Sequence, residues 1–106
     1  MRDRDRLPNR RVCETVEFTH DRIDFVASVG RYPDGRVAEI FMNAGKIDTA
    51  ADTMARDGAI AASLALQYGC PPEELLAALT RIVDFKGATV PAGPMGVLLS
   101  QVEWQP

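Results

Sequence analysis

A proline-free run from Asp48 to Tyr68 constrains the fold of this chain most strongly. Asp48 can cap a helix by accepting a hydrogen bond from a first-turn amide, and Gly69 is the residue type best suited to close one. Small residues recur three or four positions apart along the run, so another element can approach the helix backbone closely. The small residues are Ala51, Ala55, Gly58, Ala59, Ala62 and Ala65, and the bulky ones are Met54, Ile60, Leu64 and Leu66. We expect a central helix, covered by a sheet and by neighbouring helices or another subunit.

The segments before this helix alternate between apolar and polar residues as β-strands do. The predicted strands cover Val12–Phe18, Ile23–Val29 and Val37–Asn43. Residues 19–22 have the polar makeup of a hairpin turn, and the Pro-Asp-Gly sequence at residues 33–35 is typical of a tight connection. The pattern predicts an antiparallel meander whose third strand turns Ala38, Ile40 and Met42 toward the core.

The remainder of the chain predicts two shorter elements. Two prolines and two glutamates at residues 71–74 have the order of a helix start, and we expect this helix to end near residues 81–83. Asp84–Pro94 reads as a loop, and Met95–Val102 is apolar enough for a short third helix. The predicted fold is α+β: a three-stranded antiparallel meander followed by two or three helices packed on one face. At 106 residues, 46% of them hydrophobic, the chain has material for one core, and we expect a single domain at 12–106 after a basic tail at 1–11.

The tail and the body carry opposite charge. Residues 1–11 hold five arginines and two aspartates, whereas the remaining residues hold seven basic and thirteen acidic side chains. Such a tail is either a frayed, solvated terminus or a contact for nucleic acid or an acidic partner. For a nucleotide or nucleic-acid binding module, the candidate phosphate contacts are Arg2, Arg4, Arg6, Arg10, Arg11 and Lys46. The acidic body argues against broad coating of DNA, because phosphate binding scales with the number of cationic contacts.

The familiar signatures of catalysis, metal binding and membrane insertion are missing from the sequence. Cys13, Cys70 and the single histidine, His20, have no metal-ligand spacing, so we expect reduced, structural cysteines, no metal and no cofactor. Asp52 and Arg56 are spaced for an ion pair on a solvated helix face. No apolar run is long enough for a membrane span or a signal peptide, which predicts a cytoplasmic protein. If the chain were a small enzyme, Cys70 would be the candidate nucleophile.

Four segments resemble the TSCPD domain in residues and in order. They are residues 7–11, 30–41 (GRYPDGRVAEIF), 64–74 (LALQYGCPPEE) and 91–94. The resemblance covers the chain from Leu7 to about Leu99, and it is most specific at the strand entry and the helix junction. The motif positions it marks are Asp34, Gly35, Arg36, Glu39, Gln67, Tyr68 and Gly69.

The TSCPD domain lies near the C-terminus of adenosylcobalamin-dependent, class II ribonucleotide reductases and also forms small stand-alone proteins. The Thr-Ser-Cys-Pro-Asp string that names the family is absent from this sequence, as is the barrel that carries the reductase chemistry. The resemblance therefore implies the fold and a link to deoxynucleotide metabolism rather than catalysis. We expect a non-catalytic accessory or regulatory domain that acts through self-association or a reductase-like protein partner, with the nucleotide or nucleic-acid module as the alternative.

Overall fold

The computed structural model describes residues 3–46 and 49–102, which form a three-stranded antiparallel sheet, three helices and a small hairpin. The sheet has the order β1-β2-β3. The elements in chain order are β1 (Cys13–His20), β2 (Ile23–Arg31), β3 (Val37–Ala44), α1 (Ala50–Gln67), α2 (Pro72–Ala78), β4 (Arg81–Val83), β5 (Thr89–Pro91) and α3 (Pro94–Gln101). The predicted α+β meander followed by helices is confirmed. None of the described helices is long and apolar enough to cross a membrane.

The turn between β1 and β2 is tighter than the sequence predicts. His20 pairs with Ile23, so only Asp21 and Arg22 remain in the turn, with φ angles of 49° and 65°. Left-handed angles at both central residues match the right-handed twist of the flanking strands, and aspartate tolerates such angles better than most residues. β1 therefore extends to His20.

The core lies between the sheet and the helices. Ala38, Ile40 and Met42 are buried, which confirms the predicted inward face of β3. The alanines of α1 allow close packing on this sheet, because a methyl side chain holds the two backbones only slightly apart. The buried residues of α1 and α3 that complete the cluster are Ala55, Ala59, Ala62, Leu66, Leu98 and Leu99.

Three buried polar side chains of α1 pair with the outer edge of β3. Ser63 Oγ accepts a hydrogen bond from the N–H of Ile40 at 2.8 Å and lies 3.0 Å from its carbonyl oxygen. Asp52 Oδ1 accepts one from the N–H of Ala44 at 3.0 Å. Near the beginning of β3, Gln67 Nε2 donates to the carbonyl oxygen of Ala38 at 3.0 Å. An edge strand exposes every second N–H and C=O, and the helix satisfies these groups without another strand.

The environment of Asp52 differs from the solvated helix face that the sequence predicts. Its side chain is buried, because it packs against β3 and one carboxylate oxygen accepts from the N–H of Ala44. The other oxygen accepts the expected i,i+4 hydrogen bond from Arg56 Nε at 2.9 Å. Thr49 is the N-cap of α1, and its side chain accepts from the N–H of Asp52. The predicted cap, Asp48, lies outside the described residues.

The segment after α2 differs from the sequence prediction. The helix ends at Ala78 rather than near residues 81–83, because those residues form β4 and pair with β5 inside the predicted loop. Asp84 stabilises the turn: its Oδ1 accepts from the N–H groups of Lys86 and Ala88, each at 2.9 Å. Gly87 has a φ of 85°, which favours glycine. The third helix, α3, confirms the apolar run predicted to be helical.

Candidate functional site

The motif positions of the sequence gather at one end of the sheet, around the N-terminal segment. A cleft of about 220 Å³ lies where the β2–β3 connection meets the C-terminal end of α1. Its lining residues are Asp3, Asp5, Tyr32, Arg36, Leu66, Gln67, Tyr68 and Gly69. We call residues 3–11 the arm, and Tyr32, Arg36, Glu39 and Gln67 the arm groove.

Two turns bring the distant motif segments together. In the β2–β3 connection the N–H of Gly35 donates to the carbonyl oxygen of Tyr32 at 2.9 Å, and Gly35 has a φ of 94°. At the end of α1, Gly69 has a φ of 97° and its N–H donates to the carbonyl oxygen of Leu66 at 3.1 Å. Both positions use left-handed backbone that glycine adopts readily. The turns place Tyr32 and Gln67 on either side of the arm.

Gln67 holds the arm through both its side chain and its backbone. Its Nε2 donates to the carbonyl oxygen of Ala38 at 3.0 Å, and its Oε1 accepts from Arg4 Nε. The N–H of Asp5 donates to the backbone carbonyl oxygen of Gln67 at 2.8 Å. Gln67 therefore joins β3, α1 and the arm.

Tyr32 and Arg36 form the opposite wall. The Tyr32 hydroxyl donates to the carbonyl oxygen of Asp5, and the Arg36 guanidinium lies over the Tyr32 ring, 4.7 Å from its centre. Arg36 Nε is 2.7 Å from Asp34 Oδ2, and an Arg36 amino group is 3.8 Å from Asp5 Oδ2. Burial, together with the nearby carboxylate of Asp5, raises the pKa of Tyr32. The Arg36 backbone N–H and then its side chain lower the pKa of Asp34 by hydrogen bonding to the carboxylate.

The far end of the arm is anchored by an ion pair across β2. Arg11 makes two bonds to Glu39, Nε to Oε2 at 2.6 Å and a terminal nitrogen to Oε1 at 3.1 Å. Side-chain exposure is 26% for Arg11 and 15% for Glu39, so solvent screens the pair less than it screens a pair in open water. Gly30 lies beneath it, and a Cβ there would be 2.9 Å from Glu39 Oε2. The absence of a side chain at Gly30 leaves room for the pair.

The structure divides the six predicted phosphate contacts. Arg2 lies outside the described residues, and Arg4 and Arg11 are engaged by the groove. Arg6, Arg10 and Lys46 are exposed. Lys46 follows the end of β3, whereas the arm contacts the beginning of that strand, which corresponds to roughly 20 Å of strand length. Among the described residues, the structure therefore does not bring Lys46 together with the cations of the arm.

The two cysteines are free thiols. Among the described residues, neither is hydrogen-bonded to a histidine or carboxylate side chain. Cys13 is exposed and lies on edge strand β1. Cys70 is half-buried, and its Sγ lies 3.6 Å from the carbonyl oxygen of Pro71. Pro71 and Pro72, at the start of α2, have no N–H to offer a thiolate. Within residues 3–46 and 49–102, no group of three or more potential metal ligands is present.

Comparison with known proteins identifies the family. The model of the TSCPD domain matches residues 3–101, which include the whole arm. This chain belongs to the TSCPD domain family. The predicted family is thereby confirmed, and the match places the arm inside the family's domain.

Three curated relatives that this TSCPD chain matches are vitamin B12-dependent ribonucleotide reductases. That of Agrobacterium fabrum is 42% identical over 79 residues, which are 74% of this chain and 6% of the relative. That of Bradyrhizobium diazoefficiens is 37% identical over 95 residues, or 90% of this chain and 7% of the relative. That of Rhodopirellula baltica is 34% identical over 73 residues, or 69% and 7%. The chain thus spans less than a tenth of the length of these relatives. No solved structure matches it significantly.

Proposed function

We propose that this TSCPD chain is a non-catalytic accessory domain related to vitamin B12-dependent ribonucleotide reductases, which acts through association with itself or with a reductase-like protein. Its relatedness to ribonucleotide reductases favours a role linked to deoxynucleotide metabolism. Their matched region is a small part of each reductase, which favours an accessory role for the domain.

The observation that carries the proposal is an apolar strip on the side of α1 turned away from the sheet. Ile60, Leu64 and Tyr68 are spaced four residues apart and therefore lie on one side of the helix. Their exposed fractions are 57%, 38% and 39%, and Ala61 beside them is also exposed. The sequence predicts that this half of the helix is covered, and within the described chain it is not. Exposed apolar side chains gathered on one side of a helix are typical of a protein–protein contact.

The occupied arm groove also favours association over the alternative of a nucleotide or nucleic-acid module. Arg4 and Arg11 donate to protein acceptors, and Arg36 is paired with Asp34. These guanidinium groups would have to exchange partners before they could bind phosphate. The apolar strip needs no such exchange.

The proposal is tested by charging the strip. We expect purified wild-type protein to give a light-scattering mass of at least twice the 11.6 kDa of one chain, or to form a complex with a purified B12-dependent reductase chain that lacks its own TSCPD region. Replacing Ile60 and Leu64 together by Lys should abolish either association and leave the circular dichroism spectrum unchanged. The matched control replaces Val83 and Phe85, two exposed apolar residues around the β4–β5 turn, by Lys and should associate as the wild type does.

Two results would contradict the proposed function. One is a wild-type chain that is monomeric at every concentration and forms no complex with the reductase chain. The other is a folded variant with Lys at positions 60 and 64 that associates as strongly as the control.

A further inference from the structure

We propose that the arm groove is a recognition site for an extended, arginine-bearing peptide segment, and that it accepts such a segment from another protein chain as well as from its own N-terminus. This inference does not depend on the apolar strip of α1. It concerns an adjoining surface, whose cleft also includes Tyr68 at the end of the strip but whose contacts are polar.

The first step is that the groove presents a fixed acceptor to an arginine. The Gln67 side chain is buried, with 4% of the residue exposed. Because its Nε2 donates to the carbonyl oxygen of Ala38, the amide cannot turn over without losing that bond, and its Oε1 stays directed at Arg4. A buried acceptor without a donor is destabilising, so the groove favours a segment with a guanidinium at this position.

The second step is that the groove pairs with the peptide backbone. At Asp5, the N–H donates to the carbonyl oxygen of Gln67, and the carbonyl oxygen accepts from the Tyr32 hydroxyl. Both polar groups of one residue are thus bound on either side of the cleft. Backbone groups are common to all peptides, so these contacts select an extended conformation rather than one particular chain.

The third step is a second acceptor at the other end. Glu39 binds Arg11 through both carboxylate oxygens, and this fork-to-fork geometry matches arginine better than lysine. The groove therefore recognises two arginines seven positions apart. Arg6 and Arg10 lie between Arg4 and Arg11 in the sequence. Both are exposed and contribute little to recognition.

The fourth step is that the arm is attached by polar contacts and not by the core. The buried core cluster contains no residue of the arm. A full-length chain with a loosened arm therefore keeps its core and exposes the groove. In the wild type, the tethered arm acts as a competitor at an effective concentration in the millimolar range, so a free peptide binds well only when the arm is loosened.

The test uses the full-length protein and a fluorescent synthetic peptide of residues 3–11. We expect the variant with Arg4→Ala and Arg11→Ala to bind this peptide at least tenfold more tightly than the wild-type chain does, by fluorescence anisotropy. Two variant peptides of equal net charge distinguish recognition of particular arginines from general attraction of a basic peptide to the acidic body of the protein. The peptide with Ala at positions 6 and 10 should bind as the parent does, whereas the peptide with Ala at positions 4 and 11 should bind at least tenfold more weakly.

A groove variant completes the test. Glu39→Gln, added to the loosened chain, keeps the size of the side chain, removes its charge and should weaken binding of the parent peptide about tenfold. The inference is overturned if wild-type and loosened chains bind the peptide equally, if the two peptides of equal charge bind equally, or if Glu39→Gln has no effect. Adding the Ile60→Lys and Leu64→Lys changes to the loosened chain should leave peptide binding unchanged, so failure of one proposal is distinguishable from failure of the other.

Discussion

Tyr32 donates its hydroxyl proton to the carbonyl oxygen of Asp5, so ionisation of this residue removes one contact of the arm. Burial and the Asp5 carboxylate raise the pKa of Tyr32, which means that folding favours the neutral form. The resulting stabilisation is complete below the ordinary tyrosine value of about 10 and is lost as the pH rises through the higher, folded-state pKa.

We therefore expect the ultraviolet titration difference between the wild type and Tyr32→Phe to give a pKa above about 10. Between about pH 10 and that pKa, the free energy of unfolding in urea should fall more steeply in the wild type than in the variant, because the unfolded wild-type chain loses the Tyr32 proton before the folded chain does. Titration of Tyr32 at or below the ordinary value would contradict the role given to its burial.

Gly30 makes a second prediction at the scale of one residue. The β-carbon of Gly30→Ala would lie 2.9 Å from Glu39 Oε2 and 3.3 Å from Glu39 Cβ, so the Arg11–Glu39 pair must shift. We expect a loss of about 1–2 kcal/mol in the free energy of unfolding, as for other small overpacking changes. The control is Gly45→Ala, whose added carbon would meet the Asp24 carbonyl oxygen at an ordinary 3.6 Å. Equal urea midpoints for the two variants would show that the pair does not need the space.

Among the secondary-structure elements, α1 serves as the partner of the β3 edge. Ser63→Ala removes the hydroxyl oxygen that accepts from the N–H of Ile40 at 2.8 Å and leaves this buried N–H unpaired. We expect the free energy of unfolding to fall by about 1–3 kcal/mol. Ser100→Ala, at an exposed hydroxyl of α3, should cost less than about 0.5 kcal/mol. If urea unfolding gives the two variants the same stability, the edge of β3 does not depend on Ser63.

Elements with a long periodic pattern could be predicted from the sequence, and short elements with mixed signals could not. The inward face of β3 and the α1 helix follow from spacing alone. Ile82 and Val83 fit the last turn of α2 as well as they fit a strand, and the pairing with β5 that decides between them is a tertiary contact. Ser63 shows the same limit, because a serine within a helix gives no sign that it will bond to a strand edge.

At the scale of the whole molecule, the sequence predicts the family and the motif positions but not what those positions contact. Arg4 and Gln67 are 63 residues apart, and Arg11 and Glu39 are 28 apart. Local periodicity does not report on pairs at such separations, so alternating Arg and Asp residues were compatible with a solvated terminus. The TSCPD match begins at residue 3, and the groove contacts connect the arm to β3 and α1.

The stability of the whole molecule depends on α3, which connects the helices to the sheet and to the small hairpin. Leu98 and Leu99 are fully buried and belong to the same cluster as the sheet and α1. We expect Leu98→Ala to lower the free energy of unfolding by about 2–5 kcal/mol, through lost burial and the cavity left behind. Small domains have total stabilities of about 5–15 kcal/mol, so this one change should lower the urea midpoint by a large fraction. Met54→Ala, at a side chain that is 73% exposed, should leave the midpoint nearly unchanged. If Leu98→Ala instead left the midpoint of the main transition unchanged and only a separate, minor transition were affected, α3 would unfold independently of the sheet.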